Sequence, residues 1–260
     1  MTARRASLLA SLVLVLAAAG CTTFYEIPLD TPIPAKLDVS PFQRVLIVGF
    51  IAGGTDEVDT NLETVRLLRS QLRTKSDLKV IEADAIPLAE VAGQRTKGAE
   101  EQANQTATGQ DSSPPKRIRD EKELEVYEPI FADVEYWKKL GEEYQNPLIV
   151  TGTIMFTPHS QSGFVQRDQE YYDNFGRRVV QPVRTYMERR GFILKPKFIF
   201  IDGRTGTTLY AETFREQVLY NPQQNTPALS GYFELMDRLI PNFLGTLSSQ
   251  KIRGTRTLLK

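Results

Sequence analysis

The chain has 260 residues, 41% of them hydrophobic and 25% charged, an ordinary globular composition with room for one sizeable domain or two small ones. Lysine plus arginine (32) balances aspartate plus glutamate (32), which argues against a strongly basic nucleic-acid protein, and nucleic acid is not expected as a partner. One cysteine excludes an intramolecular disulfide or a multi-cysteine zinc site, and one histidine, His159, excludes a histidine-pair metal site.

Residues 1–20 have the layout of an export signal. Arg4 and Arg5 form a positive start, Leu8 to Leu16 a short apolar core, and Ala17-Ala18-Ala19-Gly20 a run of small residues ahead of Cys21. Ala18-Ala19-Gly20-Cys21 resembles a bacterial lipobox, with Ala18 where leucine is commonest. That resemblance implies cleavage before Cys21 and thioether lipidation of its sulfur by diacylglycerol, with a further acyl chain such as palmitate. The competing reading is an uncleaved anchor, but Ala6 to Gly20 is only 15 residues, short of the ~20 that a spanning helix needs. Thr22 follows the cysteine, not an aspartate, so by the same resemblance the lipoprotein sorts to the periplasmic face of the outer membrane. Loss of Arg4 and Arg5 with the signal leaves the remainder two charges negative.

Residues 21–41 contain Pro28, Pro32, Pro34 and Pro41 and predict an extended tether, or a strap packed through Tyr25, Ile27 and Leu29. From 42 to 260 we expect a single α/β periplasmic domain. Arg44 to Phe50 (RVLIVGF) is a continuous apolar run, the mark of a strand buried on both faces. Thr60 with Glu63 reads as a capping box, and Leu62, Val65, Leu68 and Leu72 make one face of the helix that follows. Leu78 to Ala83 reads as the next strand, completing a parallel β-α-β unit. Residues 93–125 have almost no branched apolar residue and no aromatic one, and predict a disordered insertion.

Asp133 is placed to cap a helix carrying Val134, Trp137, Leu140 and Tyr144 at helical spacing. Leu148 to Phe156 is a strong strand. Phe192 to Ile201 and Thr207 to Phe214 flank the turn Asp202 to Gly206 as a β-hairpin. Tyr232 to Leu247 forms a C-terminal helix that Pro241 should kink or restart, and Thr257 to Leu259 a last short strand. The fold class expected is therefore α/β: a mixed sheet with a β-α-β start, helices packed on it, a long β-hairpin and a C-terminal helix.

Three stretches in this order resemble a group of bacterial envelope proteins. They are the opening RVLIVGF strand after a lipobox tether, WKKLGEEYQNPLIVTGTIMF, and the hairpin FIFIDGRTGTTLYAET with Asp202, Thr205 and Gly206 at its turn. The group comprises the curli-secretion lipoprotein CsgG, the Pel-polysaccharide lipoprotein PelC, the lipoprotein activators of penicillin-binding proteins and the amino-terminal domain of TolB. The resemblance covers about half of the chain after residue 20. It implies a lipid-anchored mixed α/β domain, and its members secrete, scaffold or activate, so it does not fix a function.

No catalytic constellation emerges. Gly49, Gly53 and Gly54 lack the Gly-Lys-Ser/Thr and Gly-x-Gly-x-x-Gly patterns of phosphate loops and read as a turn. His159 beside Ser160 and Ser162 has no nucleophile elbow and reads as an exposed loop residue. Asp202 and Glu212 read as a turn residue and a wet strand face. Pro158 to Gly191 is different: a polar excursion with six arginines and five aromatics, net charge +2. Arginine and tyrosine are enriched at interface centres. Tyr171, Tyr172, Phe175, Arg177, Arg178, Arg184, Tyr186, Arg189 and Arg190 are therefore the candidate partner-binding residues, against a plain solvated hairpin. The function expected is a non-enzymatic interaction or assembly module in envelope biogenesis or secretion, with the membrane, through the lipid on Cys21, and an envelope protein or further copies as partners and with no cofactor. A subunit of a CsgG-like secretion pore and an envelope hydrolase are the alternatives. Charges on both faces of Phe164 to Tyr172, with Pro182 beyond, argue against spanning strands.

Overall fold

A computed structural model describes residues 24–103, 118–221 and 223–259. Cys21 and the stretch expected to be an export signal, residues 1–20, lie outside the described residues. Two units result, one made of the stretches up to Ala35 and from Ser249, the other of Lys36–Ser248.

The larger unit is built on strand β2 (Arg44–Gly54), whose apolar run is buried on both faces as expected. It pairs in parallel with β3 (Lys79–Val80) on one side and β4 (Leu148–Tyr172) on the other. Antiparallel β5 (Arg178–Asp202) lies beyond β4, and β6 (Thr208–Thr213) and β7 (Glu216–Tyr220) share its outer edge. The sheet order β3-β2-β4-β5-β6 is thus mixed, with the parallel pairs at its start.

Both faces carry helices. Val45, Ile47, Phe50, Val150, Phe156, Phe198 and Phe200 pack with helix α1 (Thr60–Lys75) and helix α5 (Ala228–Leu247). Leu46, Val48, Ile51, Ile149, Ile199 and Ile201 face α2 (Leu88–Ala103), α3 (Glu121–Glu125), a 3-10 turn (Glu128–Ala132) and α4 (Val134–Glu143). A register shift between Ile47 and Gly49 re-aims the strand halfway. Its irregular backbone is fully used: Arg69 Nη2 donates to the Ile47 carbonyl at 2.8 Å, Thr151 Oγ1 to the Gly49 carbonyl at 2.9 Å, and Phe50 N–H to Asn61 Oδ1 at 2.7 Å. Gly49 sits at φ +155°, and a Cβ there would lie 2.5 Å from the Ile86 carbonyl oxygen, so the bulge needs glycine.

The helix ends show why these segments start where they do. Asp59, not Thr60, caps α1 by accepting from Leu62 N–H at 3.0 Å; Thr60 is already the first helical residue, so the predicted capping box is displaced by one position. Asp133 caps α4 as expected, accepting from Tyr136 N–H at 3.0 Å. This fixes Trp137, fully buried, with its Nε1–H donating to the Ile130 carbonyl at 2.8 Å. A buried indole thus keeps its one polar atom satisfied.

Four expectations change. Helix α2 extends to Ala103, inside the stretch predicted as a disordered insertion, and Ile118 and Leu124 at its far end are buried against β2's neighbours. The low apolar content of residues 93–125 hides them because two isolated side chains suffice to hold the returning chain; residues 104–117 lie outside the described set. Leu78 to Ala83 pairs over only Lys79–Val80. Of the kink or restart expected at Pro241, the restart does not occur: helix α5 runs through it as one element, its apolar stripe from Tyr232 to Leu247 buried on both sides of the proline.

The fourth change concerns the smaller unit. Within the stretch expected as a tether or a packed strap lies strand β1 (Phe24–Ile33), paired antiparallel with β8 (Gln250–Leu259) from Phe24 opposite Leu259 to Ile33 opposite Gln250. Extended proline-rich chain and strand lie in the same broad β region of backbone angles, so composition did not separate them.

Candidate docking ribbon

Strands β4 and β5 continue far beyond the sheet. The last partner of β4 on its β2 side is the Gly54–Phe156 pair, and the last partner of β5 on its β7 side is the Arg190–Tyr220 pair. From the Gln161–Arg189 pair to the Tyr172–Arg178 pair the two strands have only each other. At about 3.4 Å per residue this free ribbon is roughly 40 Å long. The hairpin expected over Phe192 to Phe214 is present as β5–β6, with Asp202 accepting from Arg204 N–H at 2.9 Å at its turn. The excursion from Pro158 to Gly191 is a second and longer hairpin.

Its tip is a tight turn closed by Asp173. The carboxylate accepts from the N–H groups of Phe175 and Arg177, each at 2.9 Å, and from Arg177 Nε at 2.9 Å. These bonds, the Arg177 N–H first, hold the Asp173 carboxyl below the usual aspartate range. Gly176 at φ +73° completes the reversal.

The register sorts the candidate residues onto two faces. One face carries Tyr172, Arg178, Arg184, Tyr186 and Arg190, with Asp168, Glu170 and Glu188 among them. Phe164 and Tyr186 face each other across the strands, ring centroids 5.4 Å apart and edge to face. Arg178 pairs with Glu170, and Arg190 with Glu188 at 3.1 Å. The other face carries Tyr171 and Arg189 with a stripe of half-buried Val165, Val179, Val183 and Met187; Arg167 and Arg189 are its charges. Phe175 and Arg177 are in the turn, the guanidinium 5.3 Å from the ring centre. Phe164, Tyr172 and Phe175 are 75%, 74% and 83% exposed. Arg189 Nε is buried with no hydrogen-bond partner among the described residues.

The aromatics and arginines are legible in the sequence. The valine-methionine stripe and the Phe164–Tyr186 pair are not, because both depend on the pairing register. The alternation Val179-x-x-x-Val183-x-x-x-Met187 is the signal that was present.

The β5 edge of the ribbon is guarded. Phe214 N–H donates to the Pro196 carbonyl at 2.9 Å, so Pro196 faces away from β4. Counting back by twos along an unbroken register puts the nitrogen of Pro182 on the same free edge. Its missing N–H therefore removes no bond to β4 and blunts strand addition from outside.

The chemical readings stay bland. His159, expected in an exposed loop, instead lies half-buried on strand β4, and Ser160, its neighbour on that strand, points to the opposite face. His159, Glu188, Arg190 and Tyr220 border an open cleft of about 710 Å³ at the ribbon's root. Asp202 is buried, holding its turn and Arg204, and Glu212 pairs with Lys36. The turn expected at Gly53 and Gly54 is instead the end of strand β2, where they pair with Met155 and Phe156; Gly54 sits at φ +106°, so close to the Phe156 backbone that a Cβ would clash with it. Among the described residues no three histidine, cysteine, aspartate or glutamate side chains could share a metal ion. No described helix is long and apolar enough to cross a membrane.

No family model matches this chain, and no curated protein matches it. Among solved structures the chain shows faint likeness to lipoprotein GNA1162 from Neisseria meningitidis, at 12% identity and a TM-score of 0.35 over 77% of this chain and 96% of that one. A neuraminyllactose-binding hemagglutinin homolog from Helicobacter pylori is similar at 9% identity and a TM-score of 0.32, over 83% and 96% of the two chains. A PDZ domain protein from Parabacteroides distasonis is similar at 10% identity and a TM-score of 0.22, over 88% and 38%.

Proposed function

We propose that this protein is a non-enzymatic assembly module of the bacterial cell envelope, anchored to the outer membrane through lipid on Cys21 and docking a protein partner along the β4–β5 ribbon. The observation that carries this reading is the ribbon itself. It is a long two-stranded arm on which Phe164, toward its root, and Tyr172 and Phe175, at its tip, are largely exposed. Two isolated strands are marginal in water, and large exposed aromatics beside arginines are the composition of interface centres. The resemblance of the sequence to CsgG, PelC and TolB-type lipoproteins supports the same class of role.

Photo-crosslinking residues placed at Phe164, Tyr172 and Tyr186 in intact cells test it. One discrete protein adduct is expected from these sites and none from Asp237 on α5. Shortening the ribbon should abolish the adduct while acylation of Cys21 persists. Absence of any adduct from all three sites overturns the docking role.

The length of the ribbon favours one second reading, a subunit of a secretion pore, since spanning strands need only about 9–11 residues. Against it, Arg167 sits within the more apolar face and Asp168 and Glu170 on the other, and an arginine at a bilayer midplane costs about 2–4 kcal/mol. Stable conductance steps in planar bilayers that vanish on shortening the ribbon would establish the pore instead.

A further inference from the structure

We infer that the β1–β8 ribbon lies flat on the lipid surface, with one face seated at the headgroup–acyl boundary; this rests on the reading of Cys21 as the acylated residue. In β1 the odd-numbered positions Tyr25, Ile27, Leu29 and Ile33 share one face. The register places Ile252 on it too, opposite Thr31. The alternate face carries Glu26, Asp30, Lys251 and Arg253, the last 3.6 Å from Asp30. This is the period-two pattern of a strand pair with one buried face, yet Tyr25 is 70% and Ile252 57% exposed.

Two observations choose lipid as the occupant. The first is reach: Cys21 stands three residues before Phe24, and extended chain covers at most about 3.6 Å per residue. The ribbon therefore begins within roughly 11 Å of the acylated sulfur. The second is the edge. Pro28 and Pro32 are four residues apart and share one side of β1. Proline is accommodated in a pair only where its nitrogen faces away from the partner strand. The free edge of β1 thus lacks two donors, which disfavours strand addition by a protein at that edge. An amphipathic surface with its β1 edge blunted, starting beside acyl chains, suits an interface plane. Arg256, on the apolar face, can extend its guanidinium to anionic headgroups while its stem stays with Ile27.

The test uses the acylated chain reconstituted in phosphatidylethanolamine–phosphatidylglycerol vesicles. The Cys21 sulfur is consumed by its thioether, so a cysteine introduced as Leu29→Cys, Ile252→Cys or Thr255→Cys is the sole site for a nitroxide. Oxygen should collide several-fold more often than a water-soluble nickel chelate at 29 and 252, with the order reversed at 255. Fluorescence of Trp137 checks that each variant is folded. Equal chelate access at 29 and 255 in acylated protein overturns the inference and leaves the anchor intact. Nitroxide–nitroxide broadening at 29 would overturn it in favour of a second copy. Absence of lipid mass on Cys21 fails the anchor reading itself and is read first.

Discussion

Strands β4 and β5 each run through two environments without a break in register. Over their inner halves, Leu148–Phe156 and Phe192–Asp202, most side chains are buried between two helical layers. Over their outer halves every side chain is exposed or half-buried. The backbone pairing is the same; only what lies on the faces differs. A strand can therefore be specified by pairing with its neighbour and by its turn, here the Asp173 cap, without a core on either side. What the core adds is stability, and what its absence leaves is accessible surface.

The sharpest contrast is energetic. Trp137→Ala, under the inner half, should cost about 3–5 kcal/mol in a urea titration, because it removes a large, fully buried ring and leaves a cavity. A loss within about 0.5 kcal/mol would mean that the helical layer carries little of the stability.

The boundary between the halves has its own titration. Tyr220, opposite Arg190, has its phenol pushed up to about 12 by burial and by its hydrogen bond to Glu234. A raised folded value favours the neutral phenol. The stability it contributes is complete below the unfolded value near 10 and is lost as pH rises from there through about 12. Tyr220→Phe should flatten that part of the alkaline stability curve, and an unchanged slope would assign the loss elsewhere.

Smaller effects belong to the ribbon. Phe164→Ala should cost about 0.5–1 kcal/mol, the worth of one cross-strand aromatic pair, and should shift Tyr186 ring resonances by NMR. Arg178→Ala should cost no more than ~0.5 kcal/mol, since its pairing with Glu170 is solvent-exposed. Replacing Ser162 to Glu188 by Asn-Gly should change the calorimetric transition of the inner sheet least of all while abolishing partner capture. A large loss of melting temperature on that deletion would show that the outer half supports the core.

The same contrast explains what could be read from the sequence. LIVTGTIMF and FILKPKFIFI announce the inner halves because burial on two faces writes a continuous apolar run. The outer halves have wet faces and show no such run; Val179, Val183 and Met187 become one stripe only when set against Val165 and Tyr171 by the register. Trp137 and its Asp133 cap were legible because a helix carries its signals within a few residues. The union of β1 with β8 was not, since neither segment alone names a partner over 200 residues away. Ile118 and Leu124 escaped notice because they stand alone in a polar stretch.

That distant union has a consequence for the order of folding. Closing a loop of such length in an open chain costs several kcal/mol of entropy by about (3/2)RT ln n, more than a bare strand pair returns. Within the larger unit, however, Leu37 N–H donates to the Thr246 carbonyl at 2.9 Å and Lys36 N–H to that of Gly245 at 3.4 Å. Once those bonds form, residues 36–37 and 245–246 are neighbours and the long loop has become a short one. Zipping of Ile33 against Gln250 then proceeds like closure of an ordinary hairpin. The terminal strand pair is thus the last element to assemble, and its amide protection against hydrogen exchange reports that the rest of the chain has already reached its native state.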